Sequence, residues 1–136
     1  MFKHILLPVD GALTMVPLVR RCLGLAAASG ARVEAVHVLP LPSLDGTDAD
    51  AGVGRARAAQ ILQQVEGEAA AQGVRCEGRV VQAGEPWQAI VEAAVAGGAD
   101  LICMGARGRQ NSPGQSLGSQ TAQVLAHPGV PVLVFR

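Results

Sequence analysis

The stretch Leu101-Ile102-Cys103-Met104-Gly105-Ala106-Arg107-Gly108 joins a short apolar run to a glycine-rich loop, and Gly118-Ser119 follow after nine further residues. The apolar run predicts a buried strand, and the residues after Gly118 have the spacing of a helix. Glycine lets backbone N–H groups approach an anion closely, and the start of a helix favours negative charge. The stretch therefore indicates a strand, a phosphate-binding loop and a helix, with a nucleotide as the leading candidate ligand.

Similar alternation runs through the rest of the chain. Five short segments predict strands, several of them apolar on both faces: Ile5 to Val9, Val33 to Leu39, Arg79 to Val81 with the flanking Cys76 and Gln82, Leu101 to Met104, and Val130 to Phe135. Helical patterns lie between them: Leu13 to Ala27, Ala58 to Ala69, Glu85 to about Ala96 with Pro86 in the first turn and Gly97-Gly98 after it, and Gly118 to the residue before Pro128. The predicted order is βαβαβαβαβ.

Alternating elements with doubly buried strands predict an α/β fold in which a parallel sheet is covered by helices on both faces. The 136 residues suit one such doubly wound domain, spanning 1–136. Ligands of these sheets bind beyond the carboxyl ends of the strands, where successive connections leave in opposite directions. In a flavodoxin-like or Rossmann-like strand order that point lies between the first and fourth strands. Their carboxyl ends carry Pro8-Val9-Asp10-Gly11 and Met104-Gly105.

Composition argues against several kinds of partner. Eleven basic and eleven acidic residues cancel, and only one Trp and two Phe are available for stacking, so nucleic-acid binding is not expected. The apolar runs are shorter than the roughly 18 residues that a membrane span needs. Pro8 and Asp10 interrupt the N-terminal run, which does not resemble a signal peptide, so a cytoplasmic location is expected.

No catalytic or metal centre is predicted. The three cysteines are too far apart for paired zinc or dithiol spacing and are expected in the core: Cys22, Cys76 and Cys103. The three histidines are scattered and are expected to be structural: His4, His37 and His127. The only lysine is Lys3, which excludes the Gly-Lys-Ser/Thr phosphate loop of efficient NTPases.

The segment from Leu39 to Gly54 is rich in turn-forming and polar residues. It predicts a long loop whose first residues overhang the candidate edge of the sheet. A flexible lid and a plain connector are equally good interpretations.

Four sets of residues resemble one known family along the whole chain: Pro8-Val9-Asp10-Gly11, Gly105 to Arg109, Gly118-Ser119, and Pro131-Val132-Leu133-Val134. They are similar to the universal stress protein family. Its nucleotide-binding branch has glycine, two residues, glycine, nine residues, and then glycine with Ser or Thr. Gly105, Gly108, Gly118 and Ser119 match that pattern.

The resemblance implies a five-stranded parallel sheet in the order 3-2-1-4-5 and a homodimer joined through the last strand, Val130 to Phe135. It also implies that ATP, ADP or AMP binds at the carboxyl ends of the first and fourth strands. The nucleotide would be bound with or without Mg²⁺. The candidate binding residues are those at the matching positions: Pro8, Val9, Asp10, Val38, Met104, Gly105, Arg107, Gly108, Arg109, Gly118, Ser119, Gln120 and Thr121.

Most of these residues also have an ordinary structural interpretation. Asp10 resembles the acidic residue near the ribose and adenine, but a helix cap or a turn would also explain it. Val38 resembles the residue whose backbone meets the adenine edge, or it is a plain strand residue. Thr121 either reaches a phosphate or is a surface threonine. Arg107 and Arg109 either neutralise phosphate charge or are solvated.

The glycines and Ser119 have the firmer functional interpretation. Gly105 and Gly108 would let the loop pass close to the phosphates, while Gly118 and Ser119 would offer N–H and hydroxyl donors at the start of the helix. Two departures affect the choice of nucleotide. Ala12 stands where the family often has Ser, and Asn111-Ser112-Pro113-Gly114 predicts a tight turn in the nine-residue spacer.

The leading function is that of an ATP-binding stress-response protein that acts as a nucleotide-dependent switch or binding module, with hydrolysis slow or absent. A nucleotide-free scaffolding dimer of the same family is the alternative. A flavodoxin-type electron carrier is a third, weaker interpretation, because the chain has no Tyr and only Trp87 could cover a flavin ring. The sequence does not identify a protein partner.

Overall fold

Five strands alternate with four α-helices in the computed structural model, which describes residues 1–42, 51–106, 117–127 and 129–136. The strands are β1 His4–Pro8, β2 Arg32–Leu39, β3 Cys76–Gln82, β4 Leu101–Gly105 and β5 Val132–Phe135. The helices are α1 Val16–Ser29, α2 Ala51–Ala71, α3 Pro86–Gly97 and α4 Ser119–Ala126, and a short 3₁₀ turn, Leu13–Met15, precedes α1.

The strands form one parallel sheet in the order β3-β2-β1-β4-β5. The predicted fold class and strand order are therefore confirmed. Strand β1 is central: Ile5 pairs with Val33 of β2 on one side and with Leu101 of β4 on the other. Because the chain proceeds from β1 to β2 on one side and from β4 to β5 on the other, the switch point lies between β1 and β4.

The sheet has one apolar core on each face, since successive side chains of a strand point to opposite faces. Ile5, Leu7 and Cys103 pack with α1 and α2, in the α1/α2 core. Leu6 and Ile102 pack with α3 and α4, in the α3/α4 core. This explains why the central strands are continuous apolar runs in the sequence.

Glycines end two of the helices. Gly30 and Gly98 follow α1 and α3 in the left-handed conformation, with φ of 69° and 71°. Each donates its N–H to carbonyls of the preceding turn, which closes the helix end. The predicted end of the third helix at Gly97-Gly98 is confirmed.

Several predicted boundaries were wrong, including the start of the last strand, because β5 begins at Val132 and not at Val130. Helix α2 begins at Ala51, so Ala51 to Gly54 are helical although the sequence predicted a loop there. Gly52 and Gly54 hide the helical pattern of this first turn, because glycine has a low helix propensity. Strand β3 covers seven residues, because it pairs with β2 from Val33↔Cys76 to Leu39↔Gln82. As an edge strand it is only partly buried, which weakens its apolar signal.

Residues 43–50, the centre of the predicted lid or connector, lie outside the described residues. None of the described helices combines the length and apolar composition needed to cross a bilayer.

Candidate functional site

The carboxyl ends of β1 and β4 diverge at one edge of the sheet. The N–H of Val9 still donates to Val36 O at 2.8 Å, which extends the β1–β2 ladder by one residue before the chain leaves the sheet. On the other side, Ala106 N–H donates to Phe135 O at 2.7 Å, at the end of β4. The chain then continues to α1 on one face and to α4 on the other. A crevice at this edge is the expected consequence.

Asp10 forms the turn that leaves β1. Its Oδ1 accepts the N–H of Ala12 at 2.9 Å. Gly11 has φ +79°, and a Cβ there would lie 2.5 Å from Cδ1 of Ile61, so both the backbone angle and the packing against α2 require glycine. The turn interpretation of Asp10 is confirmed, and a ribose contact stays a prediction for the same half-exposed side chain.

His37 supports the same turn from β2. Its Nδ1 donates to Val9 O at 2.8 Å, so this nitrogen carries a proton. The sequence predicted a structural histidine but not its partner, which lies 28 residues away. This bond fixes the Val9 carbonyl, one residue beyond β1, beside the crevice.

The backbone of Val38 lies beyond the end of β1. Alternate residues of β2 direct their N–H and C=O groups to β1, as Arg32 N–H does to Lys3 O and Val36 O does to Val9 N–H. By the same alternation Val38 directs one donor and one acceptor toward the side from which β1 has departed. Its side chain packs on the α3/α4 core.

Val9 and Met104 have buried side chains, 6% and 7% exposed. They belong to the α1/α2 core and the α3/α4 core respectively. Each can therefore meet a ligand only through its backbone. Pro8 and Gly105, the last residues of β1 and β4, are half-buried at the same edge.

Helix α4 begins at this edge with an uncapped first turn. Its N-cap residue is Gly118, whose φ of −73° and ψ of 155° form an extended conformation that any residue can adopt. Gly118 has no side chain to bind the first-turn N–H groups, and no side-chain cap bond is present. The N–H groups of Ser119, Gln120 and Thr121 have no partner within the helix, by helical geometry.

One predicted donor is corrected by the structure. Gly118 donates its own N–H to Ala106 O at 2.6 Å, so this group serves the loop rather than a phosphate. Ser119 is exposed at the first helical position, where its hydroxyl and N–H are accessible. The donors at the start of α4 are therefore those of the three residues that follow Gly118.

The side chains of Gln120 and Thr121 bind the protein itself. Gln120 Oε1 accepts the N–H of Trp87 in α3 at 2.9 Å. Thr121 Oγ1 donates to Gly105 O at 2.8 Å, and Thr121 is only 4% exposed. The surface interpretation of Thr121 is wrong, and its hydroxyl proton is already donated to a carbonyl. Both residues remain candidates through their backbone N–H groups.

The remaining predicted residues of the loop lie outside the described residues: Arg107, Gly108, Arg109 and the spacer turn Asn111 to Gly114.

The cysteines form no reactive site in the described part of the chain. Cys22 and Cys103 are fully buried in the α1/α2 core. A hydrogen bond to Cys103 and burial raise the pKa of Cys22 far above its usual value. Burial raises the pKa of Cys76 to about 11. The thiols of Cys22 and Cys76 are therefore protonated at neutral pH. The described residues contain no cluster able to hold a metal ion.

The opposite, amino edge of the sheet carries a structural ion network. His4 Nε2 lies 3.4 Å from Glu34 Oε2, and Arg79 lies 3.0 Å from the other oxygen of Glu34. The carboxylate of Asp100 accepts the N–H groups of Lys3 and His4 at 2.9 and 3.1 Å. These contacts join β1, β2, β3 and Asp100, the residue before β4. They give His4 a structural role.

Comparison with known proteins agrees with this architecture. The universal stress protein family model matches residues 1–136. A universal stress protein of Thermus aquaticus is 36% identical over 138 residues, which cover all of both chains. A universal stress protein solved in complex with cAMP is 29% identical, with a TM-score of 0.79 over 99% of this chain and 97% of that one.

A universal stress protein of Archaeoglobus fulgidus, solved in complex with dAMP, has a TM-score of 0.77 over 98% of both chains. At 23% identity it shows a shared fold. The family match over every residue and the Thermus relative together establish the assignment. The chain belongs to the universal stress protein family.

Proposed function

We propose that this protein binds an adenine nucleotide in the crevice between β1 and β4 and acts as a nucleotide-dependent switch in a stress response. The observation that carries the proposal is the first turn of α4, where the N-cap is a glycine and the N–H groups of Ser119 to Thr121 have no partner among the described residues. Two structural relatives bind cAMP and dAMP, which supports an adenine nucleotide as the ligand class.

The adenine would meet the backbone of Val38. Adenine offers a donor, its amino group, beside an acceptor, its ring N1, and these complement the C=O and N–H that Val38 directs beyond β1. Guanine has the opposite polarity at the same two positions. A site built from one donor and one acceptor rejects a base whose groups leave both unpaired. The proposal therefore includes a preference for adenine over guanine.

The ribose would lie near Asp10, whose turn is held by Ala12, Gly11 and His37. The phosphates would lie over Ser119, Gln120 and Thr121, with the Ser119 hydroxyl as a further donor. Gly105 and Gly108 would allow the loop to approach them. Arg107 and Arg109 would neutralise part of the phosphate charge.

We propose ATP as the physiological ligand, with Mg²⁺ carried by its phosphates, and slow or absent hydrolysis. Efficient phosphoryl transfer places a cationic lysine on the phosphates. The only lysine of the chain, Lys3, lies at the amino edge of the sheet, where its backbone N–H donates to the carboxylate of Asp100. ADP and AMP use the same adenine, ribose and helix contacts, so weaker but measurable binding of both is part of the proposal.

Two measurements test the function. The freshly purified protein is denatured and any released nucleotide is identified by chromatography. The nucleotide-free protein is then titrated by calorimetry with ATP, ADP, AMP and GMP, each with and without Mg²⁺. The proposal expects adenine nucleotides to bind and GMP to bind at least about tenfold more weakly. Absence of both released nucleotide and binding would overturn it and favour the scaffolding alternative.

The proposal extends to a homodimer through the last strand. Strand β5 is an edge strand, and the carbonyls of Pro131 and Phe135 face β4. Val132 and Val134 therefore direct their backbone groups away from the sheet, and Leu133 is 37% exposed. Such an edge is prone to pair with another chain. Light scattering at micromolar concentration should give twice the chain mass, and a monomeric mass would contradict this part of the proposal.

A further inference from the structure

The first turn of α4 is tied to the end of β4 by two neighbouring hydrogen bonds. Gly118 N–H donates to Ala106 O at 2.6 Å, and the Thr121 hydroxyl donates to Gly105 O at 2.8 Å. The second bond uses a side chain that is 4% exposed and joins residues 16 apart. A buried hydroxyl that loses its partner is costly, so the bond strongly restrains the turn.

The same turn is tied sideways to α3. Gln120 Oε1 accepts the N–H of Trp87, and the indole of Trp87 stacks on His127, at the end of α4, with ring centroids 4.3 Å apart and planes at 26°. Trp87 thus contacts both ends of the eight-residue helix. Helix α4 is held along its length against α3.

From this geometry we infer that Thr121 and Gln120 are positioning residues of the nucleotide site. Their side chains hold the first turn of α4 at a fixed place relative to Gly105, so that three N–H groups, which have no partner among the described residues, converge on one phosphate position. The side chains themselves bind the protein and not the ligand. The inference rests on the proposed function, because it explains how the affinity of that same site is set.

The expected consequence is a loss of affinity without loss of any ligand contact. Backbone donors bind an anion well only when their positions are fixed in advance, and displacement of such a group by about 1 Å can cost about a hundredfold. Removal of the Thr121 hydroxyl frees one side of the turn. Removal of the Gln120 oxygen frees the other.

The test uses a matched pair at position 121. Thr121→Val keeps the shape and removes the hydroxyl, whereas Thr121→Ser keeps the hydroxyl. AMP is the titrant, because its single phosphate reports the helix site alone. We expect Thr121→Val to weaken AMP binding about tenfold or more and Thr121→Ser to stay within about threefold of wild type.

A stability control separates positioning from general damage. Val65→Ala removes buried apolar atoms from α2 on the opposite face of the sheet, where Val65 is 6% exposed. It should lower the unfolding midpoint and leave AMP affinity within about twofold. Gln120→Met, at a half-buried position, is the second variant and should weaken AMP binding as Thr121→Val does.

Trp87 provides a spectroscopic signature, because it is the only tryptophan and stacks on α4. Its emission should shift in Thr121→Val and Gln120→Met and not in Val65→Ala. If wild type binds AMP and both variants bind it equally well, the inference is wrong and the proposed function stands. If wild type binds no nucleotide, the proposed function fails and the inference fails with it.

Discussion

Helices α3 and α4 begin at the same edge of the sheet and cover the same face, but their first turns differ. The first-turn N–H groups of α3 are bound within the protein, whereas those of α4 have no partner among the described residues. In α3, Pro86 has no N–H, Trp87 N–H is bound by Gln120, and Gln88 N–H donates to Glu85 O at 3.2 Å. In α4 the N-cap is Gly118, and among the described residues no side chain caps the first turn.

This difference shows why a helix start alone does not define an anion site. Both helices have a favourable dipole at their first turn. Among the described residues only α4 also has first-turn donors without a partner, because the donors of α3 are used within the fold. One side chain of α4, Gln120, supplies the acceptor that closes α3.

A negative charge at the open start should have the largest effect. Ser119→Asp keeps or improves helix stability, since a carboxylate is favourable in a first turn. The same carboxylate repels phosphate, so we expect ATP affinity to fall about a hundredfold or more. Calorimetric titration and thermal unfolding measure the two effects.

Ser119→Asn is the matched control, because it has nearly the same shape without the charge. It should retain affinity within about tenfold of wild type. If Ser119→Asp bound ATP as tightly as Ser119→Asn, the phosphates would not lie at the start of α4.

Removal of the Trp87 indole, which packs between α3 and α4, should have the largest effect on stability. Trp87→Ala deletes the stack on His127 and part of the contact with the α3/α4 core. Because the indole is half-buried, we expect the free energy of unfolding to fall by about 2 kcal/mol, below the range for a fully buried Trp. Urea unfolding measures this, and Trp87→Phe should recover about half of the loss. An unchanged midpoint for Trp87→Ala would show that α3 and α4 pack independently.

Loss of the hydrogen bond between Gln120 and Trp87 at the start of α3 should have a smaller effect on stability. Gln120→Met leaves the N–H of Trp87 without its acceptor, which should cost about 1 kcal/mol of stability. The Trp87 amide should also exchange its hydrogen with solvent faster. Gln120→Glu keeps an acceptor oxygen and should restore slow exchange. If the Trp87 amide were equally protected in all three proteins, Gln120 would not close α3.

Substitution of Asp100, at the amino edge of the sheet, should have the smallest effect on stability. Desolvation raises the pKa of Asp100, but the N–H groups of Lys3 and His4 outweigh it and hold the pKa below its usual value. A lowered folded pKa contributes stability above about pH 4, and this contribution disappears as the pH falls through the folded value.

Asp100→Asn should therefore reduce stability slightly at pH 7 and make stability less dependent on pH below about 4. Urea unfolding at several pH values checks this, with AMP titration at pH 7 as the companion measurement. Unchanged AMP affinity is expected. A large loss would mean that the amino edge contributes to the nucleotide site.

The sequence predicted the parts of the molecule that depend on local pattern. The apolar runs at Ile5 to Val9 and Leu101 to Met104 predicted the two central strands, and the glycine spacing predicted where α4 begins. The edge strand β3 and the first turn of α2 were missed in part, because partial burial and glycines weaken their patterns.

The details of the candidate site could not be predicted from local pattern. The partners of Thr121 and Gln120 lie 16 and 33 residues away, and the partner of His37 lies 28 residues away. Nothing in the neighbouring sequence indicates that Gly118 N–H binds Ala106 O. Which donors remain available for a ligand therefore becomes visible only when the elements are packed together.

The most direct test of the account is an AMP titration followed by ¹H–¹⁵N NMR, with each backbone amide observed separately. We predict that the amides of Ser119, Gln120, Thr121 and Val38 shift with one common affinity. The Trp87 amide, which is already bound to Gln120, should shift much less. Absent shifts, or shifts centred on α3 or on the amino edge of the sheet, would contradict it.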